Sequence, residues 1–199
     1  MRVRSGITTS IDGYVAGPNQ SLENPFGDGV GDGERLHAWM FERRHENRAE
    51  AEAQLTASAY VMGRNMFAPG RGRWDLSWRG WWGEDPPFHA PVFVLTHHER
   101  EPLTMQGGTT FTFVTDGIES ALEQAKAAAG GRDVLIAGGA ATLNQYLAAG
   151  LVDELWLHVV PFTIGAGARL FEGVGEITLE PVEVRDTELV THLHYRVIH

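Results

Sequence analysis

The chain has 199 residues, with 16 Lys and Arg against 26 Asp and Glu and a formal charge of −10. That length suits one α/β domain, residues 1–199, with a full core, and 43% hydrophobic residues are too many for disorder. The acidic balance argues against nucleic acid as a partner, the absence of cysteine excludes disulfides and cysteine-held zinc, and no apolar run is long enough to span a bilayer.

Val3, Ile7, Thr9 and Ile11 alternate with smaller or polar residues, which predicts a strand over 2–9 that ends at Asp12-Gly13. Residues 17–33, rich in Gly, Asn, Pro and Asp, read as a long loop. Asp32 is placed to cap a helix from about Glu34 to Leu55, with Leu36, Trp39, Met40 and Ala49 on its apolar face. Ala59-Tyr60-Val61-Met62 is a short buried strand, and residues 68–90 form a loop that carries Trp74, Trp78, Trp81 and Trp82.

Two further strands are expected at 92–95 and 111–114, and Asp116 with Glu119 forms a capping box for a helix that Gly130-Gly131 ends. Val134-Leu135-Ile136-Ala137 contains nothing polar, as a parallel strand covered on both faces requires. A helix over 141–149, a strand from Leu155 to Val160 and a hairpin of 177–184 with 189–198 complete the chain. Strands alternating with helices indicate a mainly parallel sheet with helices on both faces, closed by antiparallel C-terminal edge strands.

Three strand ends carry ligand-binding chemistry. Gly138-Gly139-Ala140, with Thr142 beyond, links a buried strand to a helix N-terminus, whose free N–H groups suit a pyrophosphate. Gly63-Arg64-Asn65 sets a forked cation at another strand end, and Leu95-Thr96-His97 is a polar cluster at a third. Singly each reads as a turn; together they describe a cofactor lying across the carboxyl edge of a sheet.

With Ser10-Ile11-Asp12-Gly13-Tyr14-Val15-Ala16-Gly17, Leu151-Val152-Asp153-Glu154-Leu155, Pro161 and Gly165-Ala166-Gly167-Ala168-Arg169-Leu170-Phe171, these motifs follow one another in order. The sequence resembles the dihydrofolate-reductase-like family that includes the C-terminal reductase domain of riboflavin biosynthesis. The resemblance implies a three-layer α/β fold, NADPH as cofactor, hydride transfer to a small-molecule substrate and often a homodimer; the lack of a signal-like or membrane-spanning apolar run makes the cytoplasm the expected location, with no membrane partner. It assigns Gly63, Arg64 and Asn65 to the adenosine-side phosphates, Leu95, Thr96 and His97 to the adenosine, and Gly138, Gly139, Ala140 and Thr142 to the pyrophosphate. Thr115 joins the cofactor set. Asp12 is the expected catalytic residue, orienting a substrate hydroxyl or relaying a proton, and Gly165 and Gly167 border the substrate cleft.

Departures from the family pattern bear on the substrate. Leu36 stands where dihydrofolate reductases carry an acid, and Tyr14 where riboflavin reductases carry lysine. Trp74, Trp78, Trp81 and Trp82 read equally as a lid or wall against a flat substrate, with Trp81 and Trp82 the substrate candidates, or as dimer packing or a satellite core. His192 and His194 share a strand face but lack ligand spacing for a metal, so a solvated or dimer-facing pair is expected. A non-catalytic NADP(H)-binding module or redox sensor is the alternative to a reductase.

Overall fold

The computed structural model of the protein describes residues 1–31, 33–68 and 70–198. Its main sheet has nine strands. Chain order gives β1 (Val3–Ser10), β3 (Ala59–Gly63), β4 (Pro91–Leu95), β5 (Leu103–Thr104), β6 (Thr110–Val114), β7 (Val134–Gly138), β8 (Glu154–Val160), β10 (Thr178–Asp186) and β11 (Thr191–Ile198). A separate ribbon pairs β2 (Tyr14–Ala16) with β9 (Ala168–Arg169). The order across the main sheet is β10-β11-β8-β1-β7-β3-β4-β6-β5. The six strands from β8 to β6 run parallel, whereas β11 on β8, β10 on β11 and β5 on β6 are antiparallel.

The predicted strands are all present, with ends shifted by a residue or two. Five elements escape the pattern: β2, β5, β9, a one-turn helix α3 (Arg64–Phe67) and a 3-10 turn at Gln106–Gly108, each too short to show a period. The long helix over 34–55 is in fact two, α1 (Glu34–Phe41) and α2 (Arg48–Ala53). Asn47 is the cause. Its buried Nδ2 donates to the carbonyls of Trp39 (3.1 Å) and Arg43 (3.0 Å), which a continuing helix would give to backbone N–H groups. Ala49 is therefore exposed, and Ala51 is the buried residue of α2.

The expected Asp32 cap lies outside the described residues; the residue at the start of α1 is Gly33, at φ 82°. The capping box at Asp116 and Glu119 also fails. Helix α4 (Ile118–Ala129) begins after Gly117, whose φ of 101° takes the cap position without a side-chain bond. Gly130 ends that helix in the left-handed region as anticipated.

Helix α4 and helix α5 (Ala140–Ala148) cover one face of the sheet and build the largest core with Val61, Ile136 and Leu155. Leu122, Leu143 and Leu147 are their main contributions, and the buried Tyr146 ring donates its hydroxyl to Ile118 O at 2.7 Å. The opposite face is divided. Trp74, Trp78, Trp82, Phe67 and Phe88 pack on β3, β4 and β6, while α1 and α2 cover β1 and β8 through Trp39 and Leu36. Among the described residues, no helix is long and apolar enough to cross a membrane.

Candidate functional site

Between those two coverings lies a cleft of about 1190 Å³. It runs from the carboxyl ends of β3, β4, β6 and β7 along Gly6, Ile7 and Thr8 of β1 to His158 of β8. One end is made of strand-end turns: Gly63, Arg64 and Asn65; Leu95, Thr96, His97 and His98; Thr115; and Gly139, Ala140 and Thr142. The other is made of side chains from α1 and from just past the end of α2, among them Glu34, His37, Met40, Gln54 and Leu55. Trp81, Trp82 and Phe88 form a side wall.

The first end is built for a charged, extended ligand. A Cβ on Gly139 would meet nothing within 4 Å, so its backbone faces open space where β7 gives way to α5. No side chain caps α5, which leaves its first N–H groups and positive end directed at the cleft. The Gly138–Gly139 peptide bond is cis. Gly63 is glycine for a different reason: a Cβ there would overlap the Thr142 hydroxyl, so its small size lets β3 and α5 meet. Arg64 donates to Gly70 O (2.9 Å) and Gly72 O (2.6 Å) and lies 3.8 Å over the Trp74 ring. Partial burial holds its pKa below the usual arginine value. Arg71 lines the same end, which concentrates positive charge in an acidic protein. The Thr96 hydroxyl, by contrast, is absorbed in a turn with His98, accepting from its N–H at 3.1 Å.

A model of the RibD C-terminal domain matches residues 2–193. The chain belongs to that family. Among relatives, the uncharacterized protein YyaP of Bacillus subtilis (strain 168) is 28% identical over 127 residues, 58% of this chain and 64% of YyaP. The chain thus matches under two thirds of that relative's length. A solved structure from Shewanella sp. PV-4, of a protein named for riboflavin biosynthesis, superposes with a TM-score of 0.65 at 22% identity over all of both chains. The Thermotoga maritima diaminohydroxyphosphoribosylaminopyrimidine deaminase/5-amino-6-(5-phosphoribosylamino)uracil reductase gives 0.60 at 16% identity, over 99% of this chain and 56% of that one. These likenesses are of fold, and the fold is the dihydrofolate-reductase-like arrangement of the family.

The family cleft does not gather every residue singled out from sequence. Asp12 stands outside its lining. The Asp12 carboxylate accepts from Ser10 Oγ and from the N–H groups of Ile164 (3.1 Å) and Gly165 (2.8 Å). The Ser10 bond, followed by those from the backbone, lowers its pKa despite some desolvation, so it is a standing anion that clamps the loop after β8. Gly165 belongs to that clamp, Gly167 packs against β2, and neither lines the cleft. A Cβ on Gly167, at φ 125°, would overlap Ala16 O. Gly138 also lies behind the lining.

Trp74, Trp78 and Trp82 pack against the core over β3, β4 and β6, as satellite packing requires, and two of the four tryptophans also border the cleft. Trp82 stacks on Phe111 (5.9 Å, 14°) and meets Phe88 edge-on, yet with Trp81 it also walls the cleft. The expected solvation of His192 is overturned. It is 4% exposed, and its Nδ1 lies 2.7 Å from Nδ1 of His158. His194 stacks on Trp156 at 3.8 Å and is partly buried. Among the described residues, no group of three or more His, Cys, Asp or Glu is placed to hold a metal.

Sequence reasoning missed His37, Gln54 and His158. The only local signal was Gly6, an isolated glycine inside a strand, which marks a close approach by another group.

Proposed function

We propose that this chain is an NADPH-dependent reductase that delivers hydride to a carbonyl or imine carbon of a small, planar substrate. The observation that supports this reading best is the two-ended cleft. Its volume exceeds what one drug-sized ligand fills, and its ends differ in chemistry as a cofactor and a substrate differ. Membership in the RibD C-terminal domain family, and the reductase named among the solved relatives, point the same way.

The residues present fit the cofactor. Gly139 leaves room for a phosphate against the backbone, the α5 N-terminus offers N–H donors, and Arg64 with Arg71 supplies cations. Bound there, NADPH supplies the hydride. The chain's own residues do the rest by positioning and by excluding water. Trp81 and Trp82 offer flat apolar surfaces to a planar ring, and Met40 and Leu55 dry the facing wall. The clamped, ionised Asp12 is left with a supporting part, since it holds the loop after β8 and does not reach the cleft.

Titration with NADPH and NADH, followed by tryptophan fluorescence, tests the reading. Wild type is expected to bind NADPH more tightly than NADH, with Arg64→Ala weakening NADPH by about tenfold, the loss of one charge-assisted contact. Absence of binding by either nucleotide would overturn the proposal. Binding without oxidation across a panel of carbonyls and imines would favour a redox sensor instead.

A further inference from the structure

The α1–α2 end of the cleft has a polar floor assembled from five places in the chain. Gly6 pairs with Trp156 and Thr8 with His158, so these positions share one face of the sheet. A Cβ on Gly6 would overlap the Gln54 carboxamide. Glycine therefore lets Gln54, just past the end of α2, lie across β1 and reach β8. There its Nε2 stands 2.9 Å from Nε2 of His158.

The protons in this floor can be assigned from its far end. Asn47 Nδ2 is spent on the carbonyls of Trp39 and Arg43, so its Oδ1 is the acceptor facing His192 Nε2 at 2.9 Å. Arg185 also donates to that oxygen at 3.4 Å, and Thr187 Oγ1, with a single proton, stands 3.1 Å from it and from Val190 O. His192 must then carry its proton on Nε2 and offer a lone pair at Nδ1. His158 answers with a proton on Nδ1, which leaves its Nε2 as an acceptor, and Gln54 Nε2 can only donate to it. The two ends of the chain agree. Trp39 locks the pair, its ring 4.6 Å from His158 and 5.1 Å from His192, with Nε1 donating to Thr8 Oγ1 at 3.2 Å. The nearby Glu50 is held by Arg185 through two bonds of 2.6 Å and does not compete.

We propose that Gln54 is the specificity-determining residue of the substrate end. The His158–His192–Asn47 chain fixes its amide in one orientation, so that it offers a donor and an acceptor side by side to a ligand with the complementary edge. An N–H next to a C=O on one planar edge, as in a lactam or cis-amide, matches that pattern. His158, His192 and Asn47 are positioning residues that act through Gln54. A glutamine free to flip would read both orders of donor and acceptor, whereas this one reads one. The inference rests on the reductase reading for the rest of the cleft, but its test does not depend on turnover.

Nitrogen NMR of the histidine rings at neutral pH is the first arm. His158 is expected as the Nδ1–H tautomer and His192 as the Nε2–H tautomer; the opposite pair would overturn the proposal. In the second arm, 2-pyridone and N-methyl-2-pyridone, which lacks the N–H, are titrated into the protein and followed by chemical shifts of Gln54 and His158. Wild type is expected to prefer 2-pyridone by about tenfold, the worth of one to two hydrogen bonds. Gln54→Met should abolish the preference while NADPH affinity stays unchanged. Equal binding of both probes, binding of neither, or a preference that survives in both Gln54→Met and Gln54→Leu would overturn the assignment. A preference for 2-pyridone in a protein that fails to bind NADPH would support this inference while removing the reductase reading.

Discussion

The two ends of the cleft are built by opposite means. At the strand-end side the cleft surface is largely backbone, Gly139 and the uncapped start of α5, with the Arg64 and Arg71 side chains beside it. At the α1–α2 side it is side chain, and Gln54, His158, His192 and Asn47 come from a helix end, two strands and an inter-helix turn. A backbone surface suits a partner that does not vary, because N–H groups and dipoles cannot be exchanged by substitution. A side-chain surface suits a partner that differs from one family member to the next. The difference teaches that one end of the cleft can be re-specified from a handful of side-chain positions while the other is held by the backbone.

Filling the backbone end should separate the two most sharply. Gly139→Val places a side chain where nothing stands within 4 Å, at a φ of −70° that valine adopts. Thermal stability should hold, while NADPH affinity falls on the order of a hundredfold by calorimetry. A variant that binds as wild type would show that the cofactor does not approach the Gly139 backbone.

Breaking the side-chain end should cost stability instead. Asn47→Ala strands the buried His192 N–H and uncaps the carbonyls at the end of α1. Urea unfolding should show a loss of roughly 2 kcal/mol, the penalty for unpaired buried polar groups. NADPH affinity should be preserved.

The pH dependence of stability sharpens the contrast further. Desolvation, with the neighbouring His192 second, lowers the pKa of His158 from 6.5 to about 3. Desolvation moves His192 in the same direction. The unfolded chain therefore takes up protons that the folded chain refuses. Stability is whole above pH 6.5 and is lost as pH falls toward 3, with His158 contributing at most about 1.4 kcal/mol per pH unit. His158→Gln should flatten the urea midpoint across that range. An unchanged slope would place the acid sensitivity elsewhere.

The smallest effect is expected at the clamp. Asp12→Ala frees the N–H groups of Ile164 and Gly165 without touching either end of the cleft. NADPH affinity should not change, and limited proteolysis should cut faster between residues 161 and 167. A large loss of affinity would restore Asp12 to the site.

The same division explains what could be read from the sequence. Strand periodicity, the Gly-Gly turn before α5 and the Met62-Gly63-Arg64 end are local signals, and they gave the sheet and the residues of the backbone end. The side-chain end left no local trace. His158 and His192 lie in different strands that only the antiparallel pairing of β8 with β11 brings together. The break between α1 and α2 was invisible because Asn47 competes for carbonyls through its side chain, which the spacing of apolar residues does not report. Asp12 was ambiguous for a related reason, since an Asp-Gly turn looks the same whether its carboxylate meets a ligand or, as its bonds to Ile164 and Gly165 show, a neighbouring loop.

The position of β1 has a consequence for how the protein is made. It is the first strand to leave the ribosome in this chain, yet both its neighbours come late: β7 pairs from Val134 and β8 from Glu154. Until then a β-prone segment has no partner of its own. Such non-local closure is slow, and the waiting strand is open to mispairing with other chains. A nascent chain stalled before Val134 would hold β1 unpaired, which makes this segment the point at which a chaperone has most to protect.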